Sequence, residues 1–390
     1  MQPISKNIGT AELKELIDLA LPGLVPMFDP DENLFCHRLN QTQHGLVREG
    51  ISHRYTIMTL LGLHVSSLAG FESTIDCDAA LRRLSNKLDW IDNGGDFGLY
   101  LWLCSVVRPE LLARAATGIG KDVHERWPDL AAGRTMELAW LLAGISHMQL
   151  AGFDAIPDLG ELANRTYLRL NANQGDRGVF GHQAQRGLLG RVRGRIGTFA
   201  DQVYPIYALS KFGVAFGVQE ALHAAKECAD TICHHQGSLG QWWWRYDSVG
   251  GGIASKYPVY SVHQHGMGGM ALNAVSEATG ENYLEPILSA LPWVAGENEL
   301  HFDLRDSSLK IIWRSFFQNR PKAFLNVLRA LGGQKPIDGG LQIKRECRPY
   351  ELGWLLYALV PVYDRLMNQG KLRRNAGQSD MYVTSDLQVK

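Results

Sequence analysis

Aromatic and histidine side chains are concentrated between Gln236 and Leu272, where three consecutive tryptophans precede a glycine triplet and a Tyr/His group. Histidine titrates near neutral pH, and tyrosine can transfer a proton when nearby cations lower its pKa. Tyr260, His263 and His265 are therefore the best candidates for proton transfer. Because His263 and His265 are two residues apart, they would face different sides of one helix, and we expect only one to enter a site.

Two acidic residues, Asp247 and Glu346, offer a different chemistry. A pair of carboxylates can cleave a glycosidic bond, and their separation decides whether one attacks directly or activates a water molecule. The sequence does not fix that separation. Proton transfer by Tyr and His and hydrolysis by paired acids therefore both remain open.

Aromatic rings and cations are the candidate binding groups for either reaction. Trp and Tyr faces suit flat, hydroxylated or hydrophobic ligands, and an arginine can hold a carboxylate through two hydrogen bonds. For the tryptophans the alternative is burial in a helical core, and for Asp96 and Asp201 it is helix capping. The candidate binding residues are Trp242, Trp243, Trp244, Tyr246, Tyr257, Arg54, Asp96, Asp201, Tyr204, Arg348 and Tyr350.

The hydrophobic pattern predicts helices of two kinds in alternation. Apolar helices are predicted at 53–69, 97–107, 134–150, 200–213, 264–279 and 350–365. More polar helices are predicted at 11–27, 77–91, 109–117, 157–171, 217–234, 282–294 and 321–331. A helix that is apolar all round has to be covered on every side, so the alternation predicts two concentric rings with the apolar helices inside.

Little of the remaining sequence predicts regular structure. No stretch predicts a parallel β-sheet, and residues 33–50 are rich in His, Gln and Arg and are expected to form a loop. Pro361 is expected to kink or end the last apolar helix, because proline removes a helical hydrogen bond. We expect residues 1–50 to pack on the barrel as a helix and a loop, 51–367 to form the barrel, and 368–390 to be a polar tail.

An internal repeat supports this organisation. The segment from Gln174 to Phe180 aligns with the segment from Gln236 to Trp242, and residues 93–98 occupy the same place in an earlier hairpin. The pattern Gln-x-x-x-Gly-x-aromatic resembles a turn of the α/α-toroid superfamily. That superfamily includes terpenoid cyclases, protein prenyltransferase β subunits and several carbohydrate-active enzymes. The resemblance implies an all-α fold, an (α/α)6 toroid of six helical hairpins.

The approach to the fifth apolar helix is also similar to a known toroid. The Tyr/His-rich stretch from Tyr257 to His265 resembles the corresponding part of the glucuronyl C5-epimerase toroid. In such a barrel the inner helices can direct their N-termini to one mouth, where free N–H groups and helix dipoles favour a carboxylate or a developing oxyanion. Polar residues precede each of the six apolar helices, which places the expected site at that mouth.

Composition limits the classes of partner. The 390 residues carry a formal net charge of −1, which argues against nucleic acid as the main partner. No apolar segment predicts membrane insertion, and the six cysteines lack a C-x-x-C pair, so we expect a cytoplasmic protein with free thiols, no metal and no cofactor. The expected partner is a small molecule or an oligosaccharide, and a homo-oligomer is possible.

These observations lead to a functional expectation with two alternatives. We expect a carbohydrate-active enzyme that acts on a glycan or a uronic-acid-type sugar, either as a lyase or epimerase or as a glycoside hydrolase. One alternative is an isoprenoid or terpenoid cyclase or a prenyl-transfer enzyme, since aromatic faces stabilise carbocations. The other is a toroid that binds a ligand without turnover.

Overall fold

The computed structural model describes residues 9–119, 123–153, 155–156, 158–183, 194–318 and 340–385, together with residues 325, 329 and 334. The longer helices are α1 (Thr10–Leu24), α2 (His53–Leu68), α3 (Cys77–Asn86), α4 (Gly94–Val107), α5 (Thr135–Leu150), α6 (Leu159–Asn171), α7 (Ala200–Phe216), α8 (Gln219–His234), α9 (Gly268–Thr279), α10 (Leu284–Ser289) and α11 (Pro349–Ser385). Shorter helical turns are Val25–Met27, Pro109–Leu111, Leu112–Ala115, Ala116–Gly118, Val123–Arg126, Pro128–Ala131 and Leu291–Val294. A π-helical turn, His263–Met267, leads directly into α9.

Two layers of helices form the barrel. Helices α2, α4, α5, α7, α9 and α11 contact one another in that order, and α11 packs back on α2, so the inner ring is closed. Helices α1, α3, α6, α8 and α10 lie against this ring from outside. The fold is therefore an (α/α)6 toroid, which confirms the predicted fold class.

The inner helices are apolar on all sides because each one is surrounded. Every residue of α4 from Gly94 to Ser105 is buried. Two pairs of glycines allow neighbouring inner helices to approach closely. A Cβ atom on Gly62 would lie 2.1 Å from the carbonyl oxygen of Gly353, and one on Gly144 would lie 2.3 Å from that of Gly98. A side chain at these positions would push the ring apart.

Short antiparallel strands lead into the inner helices. They are β1 (Phe28–Asp29), β2 (Leu34–Thr42), β3 (Gly45–Ile51), β4 (Ile196–Thr198), β5 (Arg245–Asp247), β6 (Ile253–Ser255), β7 (Val259–Tyr260), β8 (Arg305–Asp306), β9 (Ile311–Ile312), β10 (Ser315–Gln318), β11 (Leu341–Lys344) and β12 (Glu346–Cys347). They pair as β1–β2–β12 with β3 on β2, as β4–β5–β6, as β11–β10–β7 and as β8–β9. Strands β3, β4, β7 and β12 each end just before an inner helix, so the sheets gather at the N-terminal mouth.

The N-terminal segment differs from the prediction. Residues 33–50 were expected to form a loop, but β2 and β3 form an antiparallel hairpin in which Arg38 lies opposite Glu49. The polar residues that suggested a loop are partners across this hairpin: Arg38 pairs with Glu49 at 2.7 Å. Leu34, Phe35 and Leu39 of β2 are buried and attach the hairpin to the core.

The bounds of several other helices also differ from the predicted ones. Pro361 was expected to kink or end the helix; it lies inside α11, which continues to Ser385, so it does not end the helix. The predicted helix 282–294 is divided into α10 and the turn Leu291–Val294, and the predicted helix 109–117 consists of short turns. The predicted helix 321–331 lies outside the described residues apart from isolated positions. Within the part of the chain that is described, no helix is both long and apolar enough to span a membrane.

Candidate active site

A cavity of about 190 Å³ opens at the N-terminal ends of the inner helices. Helices α2, α5, α7 and α11 and the π-helical turn all contribute to its wall. The wall combines aromatic rings and methionines with two arginines and one histidine, so it is neither wholly apolar nor strongly charged. Its lining residues are Arg54, Tyr55, Met58, Met136, Trp140, Ala200, Tyr204, Trp244, Tyr260, His263, Met267, Arg314 and Tyr350.

Tyr260 and His263 meet on one side of this cavity. Their ring centroids lie 5.0 Å apart. The Trp244 ring centroid lies 5.2 Å from that of Tyr260 and 6.0 Å from that of His263. The Trp244 and His263 ring planes are inclined by 14°. Phe199 packs on His263 at 4.6 Å. The structure therefore places two of the three proton-transfer candidates together, with an aromatic wall behind them.

His265 takes the other direction from the π-helical turn. It is fully buried and does not line the cavity. Neither of its ring nitrogens has a hydrogen-bond partner among the described residues. Burial lowers the pKa of His265 to about 3, so the ring is neutral in the core. Of the two histidines, only His263 reaches the site, as their spacing predicts.

The environment sets the protonation states of the pair. Burial lowers the pKa of His263 well below its ordinary value, and Arg314 and His265 lower it further. Burial raises the pKa of Tyr260, and Arg314 offsets only part of that rise. At neutral pH the site thus holds a neutral imidazole, which can accept a proton, beside a neutral phenol, which can donate one.

Arg314 is the buried cation next to Tyr260. Its guanidinium carbon lies 4.8 Å from the centroid of the Tyr260 ring. Its Nε lies 3.1 Å from Glu346 Oε1 in an ion pair, its Nη1 donates to the Glu351 carboxylate, and its Nη2 donates to the Tyr350 hydroxyl at 3.4 Å. Two carboxylates therefore fix this guanidinium, whose charge would stabilise a tyrosinate formed at Tyr260.

Glu346, a predicted catalytic acid, is surrounded by cations. Its Oε1 accepts from Arg348 Nε at 3.0 Å and lies 3.1 Å from Arg314 Nε. Its Oε2 lies 3.3 Å from Arg38 Nη1 and 3.3 Å from Lys344 Nζ. Burial raises the pKa of Glu346, but the Arg348, Arg314 and Lys344 charges together lower it below the ordinary value. A carboxylate engaged through both oxygens orients arginines and is poorly placed to attack a substrate.

Two predicted binding residues at the start of the last inner helix, Tyr350 in its first turn and Arg348 just before it, sit beside this cluster. Tyr350 lines the cavity, and its ring lies 4.5 Å from Tyr55. Arg348 does not line the cavity but donates from Nη1 to the Tyr55 hydroxyl at 2.7 Å. His37, from the β2–β3 hairpin, stacks on Tyr55 at 5.3 Å. The hairpin therefore supports one wall of the site.

Arg54 and Asp96 form a second ion pair at the mouth. Arg54 Nε and Nη2 donate to the two carboxylate oxygens of Asp96 at 2.5 and 3.0 Å. The guanidinium of Arg54 lies 5.1 Å from the Trp140 ring centroid, and about a third of the side chain is exposed. The N-cap of α4 is Asn93, whose Oδ1 accepts from the Asp96 backbone N–H at 2.8 Å. Asp96 is thus a partner of Arg54 and not the cap of α4.

A third group of titratable residues lies at the start of α5 and α7, and the sequence singled out Asp201 and Glu137 by their position but not His182. The Asp201 carboxylate accepts from the Thr198 backbone N–H at 2.8 Å and lies 3.2 Å from His182 Nδ1. The hydrogen bond to Asp201 raises the pKa of His182, although burial opposes it. Burial also raises the pKa of Glu137, and its Oε2 has no hydrogen-bond partner among the described residues.

A positional signal for these residues was available. Glu137 lies in the first turn of the inner helix α5, where polar residues of the mouth are expected. A Cβ atom on Gly95 would lie 2.9 Å from Glu137 Cγ, so the side chain of Glu137 packs beside the residue that precedes Asp96. His182 lies in a glycine-rich loop without periodicity, and only the fold brings it to Asp201. Tyr204, also from α7, lines the cavity and accepts from Trp354 Nε1 at 3.1 Å.

Asp247 lies apart from this cavity. It belongs to β5, and both of its carboxylate oxygens accept from Arg195. Burial raises the pKa of Asp247, but the bonds from Arg195 lower it below the ordinary value. Asp247 and Glu346 share no partner, and neither lines the cavity. The structure does not bring the predicted acid pair together.

Four of the predicted binding aromatics pack in the core. Trp242 and Tyr246 are fully buried, and Trp242 fills the space that the missing side chain of Gly268 leaves at the start of α9. The indole N–H of Trp243 donates to the His235 carbonyl at 2.8 Å, and the hydroxyl of Tyr257 donates to Glu299 Oε1 at 2.7 Å. Of the three consecutive tryptophans, only Trp244 lines the cavity.

Comparisons with known proteins bear on the fold. No protein-family model matches the sequence, and neither does any curated protein. An unsaturated glucuronyl hydrolase from Bacillus sp. GL1, responsible for the degradation of glycosaminoglycan, has a similar structure, with a TM-score of 0.59 and 14% identity over 90% of this chain and 96% of that one. A mutant unsaturated glucuronyl hydrolase from Streptococcus agalactiae, complexed with dGlcA-GalNAc6S, has a TM-score of 0.57 and 12% identity over 92% of this chain and 93% of that one.

A sugar epimerase from a ruminal bacterium is also similar, with a TM-score of 0.55 and 10% identity over 90% of this chain and 98% of that one. The three alignments extend over almost the whole of each chain at very low identity. They show that the toroid fold is shared. Among the described residues, no group of three or more His, Cys, Asp or Glu side chains is arranged to hold a metal ion.

Proposed function

We propose that this chain is a carbohydrate-active enzyme that acts on a uronic-acid-type sugar by proton transfer through Tyr260 and His263. The observation that carries the proposal is the contact between these two residues inside one cavity, with Arg314 fixed beside the phenol ring. Aromatic walls suit the faces of a sugar ring, and arginines suit its carboxylate. Structural neighbours that are named as acting on sugars support the same class.

The reaction would begin at the carbon next to the sugar carboxylate. The negative charge of the substrate carboxylate would raise the low pKa of His263, so that its neutral imidazole accepts the proton from this carbon while negative charge moves onto the carboxylate. Arg54 lines the cavity and uses Nε and Nη2 for Asp96, so its Nη1 can bind that carboxylate. Because Tyr260 lies on the same side of the cavity as His263, it can donate a proton to a glycosidic oxygen that departs from that face in an elimination, whereas an epimerisation would need a second donor on the opposite face.

The cavity is less suited to an isoprenoid. Carbocation chemistry favours a wall of apolar and aromatic groups, whereas Arg54, Arg314 and His263 all line this one. A carboxylated, hydroxylated ligand satisfies these polar groups and still contacts the rings of Trp140 and Trp244.

Hydrolysis is the second candidate, and Glu137 favours it. A buried carboxyl group with a raised pKa and an unpartnered oxygen can act as a general acid. Its side chain packs against Gly95, one residue before Asp96. The neighbouring His182–Asp201 pair would orient a water molecule.

The two reactions differ in their products and in their pH dependence. Incubation of the purified protein with saturated and unsaturated glucuronate disaccharides in D₂O separates them. Elimination creates an ultraviolet-absorbing double bond, epimerisation introduces deuterium beside the carboxylate, and hydrolysis of the unsaturated substrate removes the absorbance. If Tyr260 and His263 transfer the protons, the rate should not change between mildly acidic and mildly alkaline pH. If Glu137 is the general acid, the rate should fall as the pH rises through the pKa of Glu137. Release of saturated products only, with no deuterium, would contradict the first proposal.

A further inference from the structure

A second depression, of about 510 Å³, lies beside the first turn of α2. His53, the first residue of α2, lines it, while the next residue, Arg54, lines the main cavity. Successive Cα atoms are about 3.8 Å apart, so the two sites share one turn of helix at the mouth. The depression is lined by His53, Arg83, Asn86, Lys87, Asp89 and Trp90.

One wall of the depression is a fixed aromatic stack. The rings of His53 and Trp90 lie 5.1 Å apart with 3° between their planes. Trp90 donates its indole N–H to the Leu84 carbonyl at 3.0 Å, and its ring contacts the edge of Tyr100 at 5.8 Å. A rigid indole of this kind loses little conformational freedom when a sugar ring packs against it.

The depression also contains two cations, of which Lys87 is the one without an ion pair among the described residues. Arg83 and Lys87 lie four residues apart at the end of α3, and Asp89 is the one acid in the lining. Arg83 contacts Glu32 at 3.4 Å, in a pair that is open to solvent. Burial lowers the pKa of His53, and Arg83 lowers it further, so the charge comes from Arg83 and Lys87 and not from the histidine.

We propose that this depression, the rim subsite, binds an anionic sugar unit linked to the sugar that occupies the main cavity. An aromatic face beside two cations fits a ring that carries a carboxylate or a sulfate ester, and the shared turn of α2 connects the two units. The inference rests on the proposed function and extends it, because it makes the substrate an acidic oligosaccharide and not a single sugar.

The test is a calorimetric measurement of binding in the Tyr260→Phe background, which slows turnover. The probes are glucuronic acid, a chondroitin sulfate tetrasaccharide and the neutral maltotetraose. The double variant Arg83→Gln/Lys87→Gln should bind the tetrasaccharide about tenfold more weakly, since charge-assisted hydrogen bonds are lost, and should bind glucuronic acid unchanged. Arg82→Gln is the matched control, because this neighbouring arginine is exposed and does not line the depression.

Each other outcome is informative. Equal tetrasaccharide affinity in the double variant and the control would overturn the rim subsite and leave the proposed function standing. Equal weakening for maltotetraose would overturn the requirement for an anionic unit. If none of the acidic saccharides binds the protein with Arg83 and Lys87 intact, the proposed function itself is overturned, and the rim subsite with it.

Discussion

Two clusters of Trp, Tyr and His differ in position: one precedes the fifth inner helix and the other lies on the inner helices themselves. One is the cavity cluster of Trp244, Tyr260 and His263. The other, which we term the inner cluster, lies further along the inner helices, away from the mouth, and contains Trp102, His147, Tyr207 and Tyr357. The residue types are the same, but the surroundings differ.

In the inner cluster the histidine and the two hydroxyls bond one another, although Trp102 Nε1 has no hydrogen-bond partner among the described residues. His147 Nε2 is 2.9 Å from the Tyr207 hydroxyl, which is 2.6 Å from the Tyr357 hydroxyl, and Trp102 stacks on His147 at 5.2 Å. In the cavity cluster, by contrast, His263 Nδ1 has no hydrogen-bond partner among the described residues, and the rings face open space and a buried arginine. Residue types alone therefore do not identify a site. Polar atoms left available beside a cavity do.

The largest expected effect separates the two clusters by activity. Tyr260→Phe and His263→Gln should each lower kcat by about 10²–10⁴-fold, because each removes a group that transfers a proton. Tyr207→Phe, the matched change in the inner cluster, should leave kcat within about twofold and lower only the free energy of unfolding, by about 1–2 kcal/mol. Steady-state rates and denaturant unfolding of all three variants measure both quantities. A rate loss in Tyr207→Phe equal to that in Tyr260→Phe would remove the distinction.

The next effect concerns the ion pairs beside each cluster. Glu351→Gln should lower the free energy of unfolding by about 3 kcal/mol, because it leaves buried Arg314 with one carboxylate fewer. Near the inner cluster, Glu277 pairs with Lys211 at 3.2 Å but is half exposed, so Glu277→Gln should cost less than about 1 kcal/mol. Urea unfolding of the two variants gives the comparison directly. Similar values for both would mean that the Arg314 site is solvated.

The smallest effect is an acid dependence of stability. Burial, assisted by Lys211, lowers the pKa of His147 to about 3. Between this value and the pKa of the unfolded chain, His147 is protonated in the unfolded chain and neutral in the folded one. The contribution of His147 to the free energy of unfolding is fully present above about pH 6.5, the pKa of histidine in the unfolded chain. It is lost as the pH falls below that value, by about 2 kcal/mol at pH 5. His147→Gln should make the fall in unfolding free energy between pH 7 and 5 shallower by that amount. An unchanged slope would show that His147 is protonated in the folded protein.

The helical part of the fold could be predicted because its signal is local. Helices such as α4 and α5 are apolar on every side over fourteen residues or more, and only a covered inner ring accommodates them. The strands could not be predicted in this way. They are two to nine residues long, and they pair with distant partners, as Glu346 of β12 pairs with Asn40 of β2.

The site was predictable in part for the same reason. Tyr260 and His263 lie three residues apart, so their proximity follows from local sequence. Arg314 reaches Tyr260 only because β10 pairs with β7, and Ser315 stands opposite Tyr260 in that pair. Of three adjacent tryptophans, the sequence gives no rule for which one faces a cavity that forms between helices far apart in the chain.

The contact between Gly62 and Gly353 has a consequence for how the protein is made. It joins the first inner helix to the last, so the two halves of the cavity wall meet only when nearly the whole chain is present. A ribosome-bound chain that still lacks α11 has neither Tyr350 nor the carboxylate of Glu351 that secures Arg314. Such long-range closure favours slow, late assembly of the binding pocket, after the earlier hairpins have already stacked.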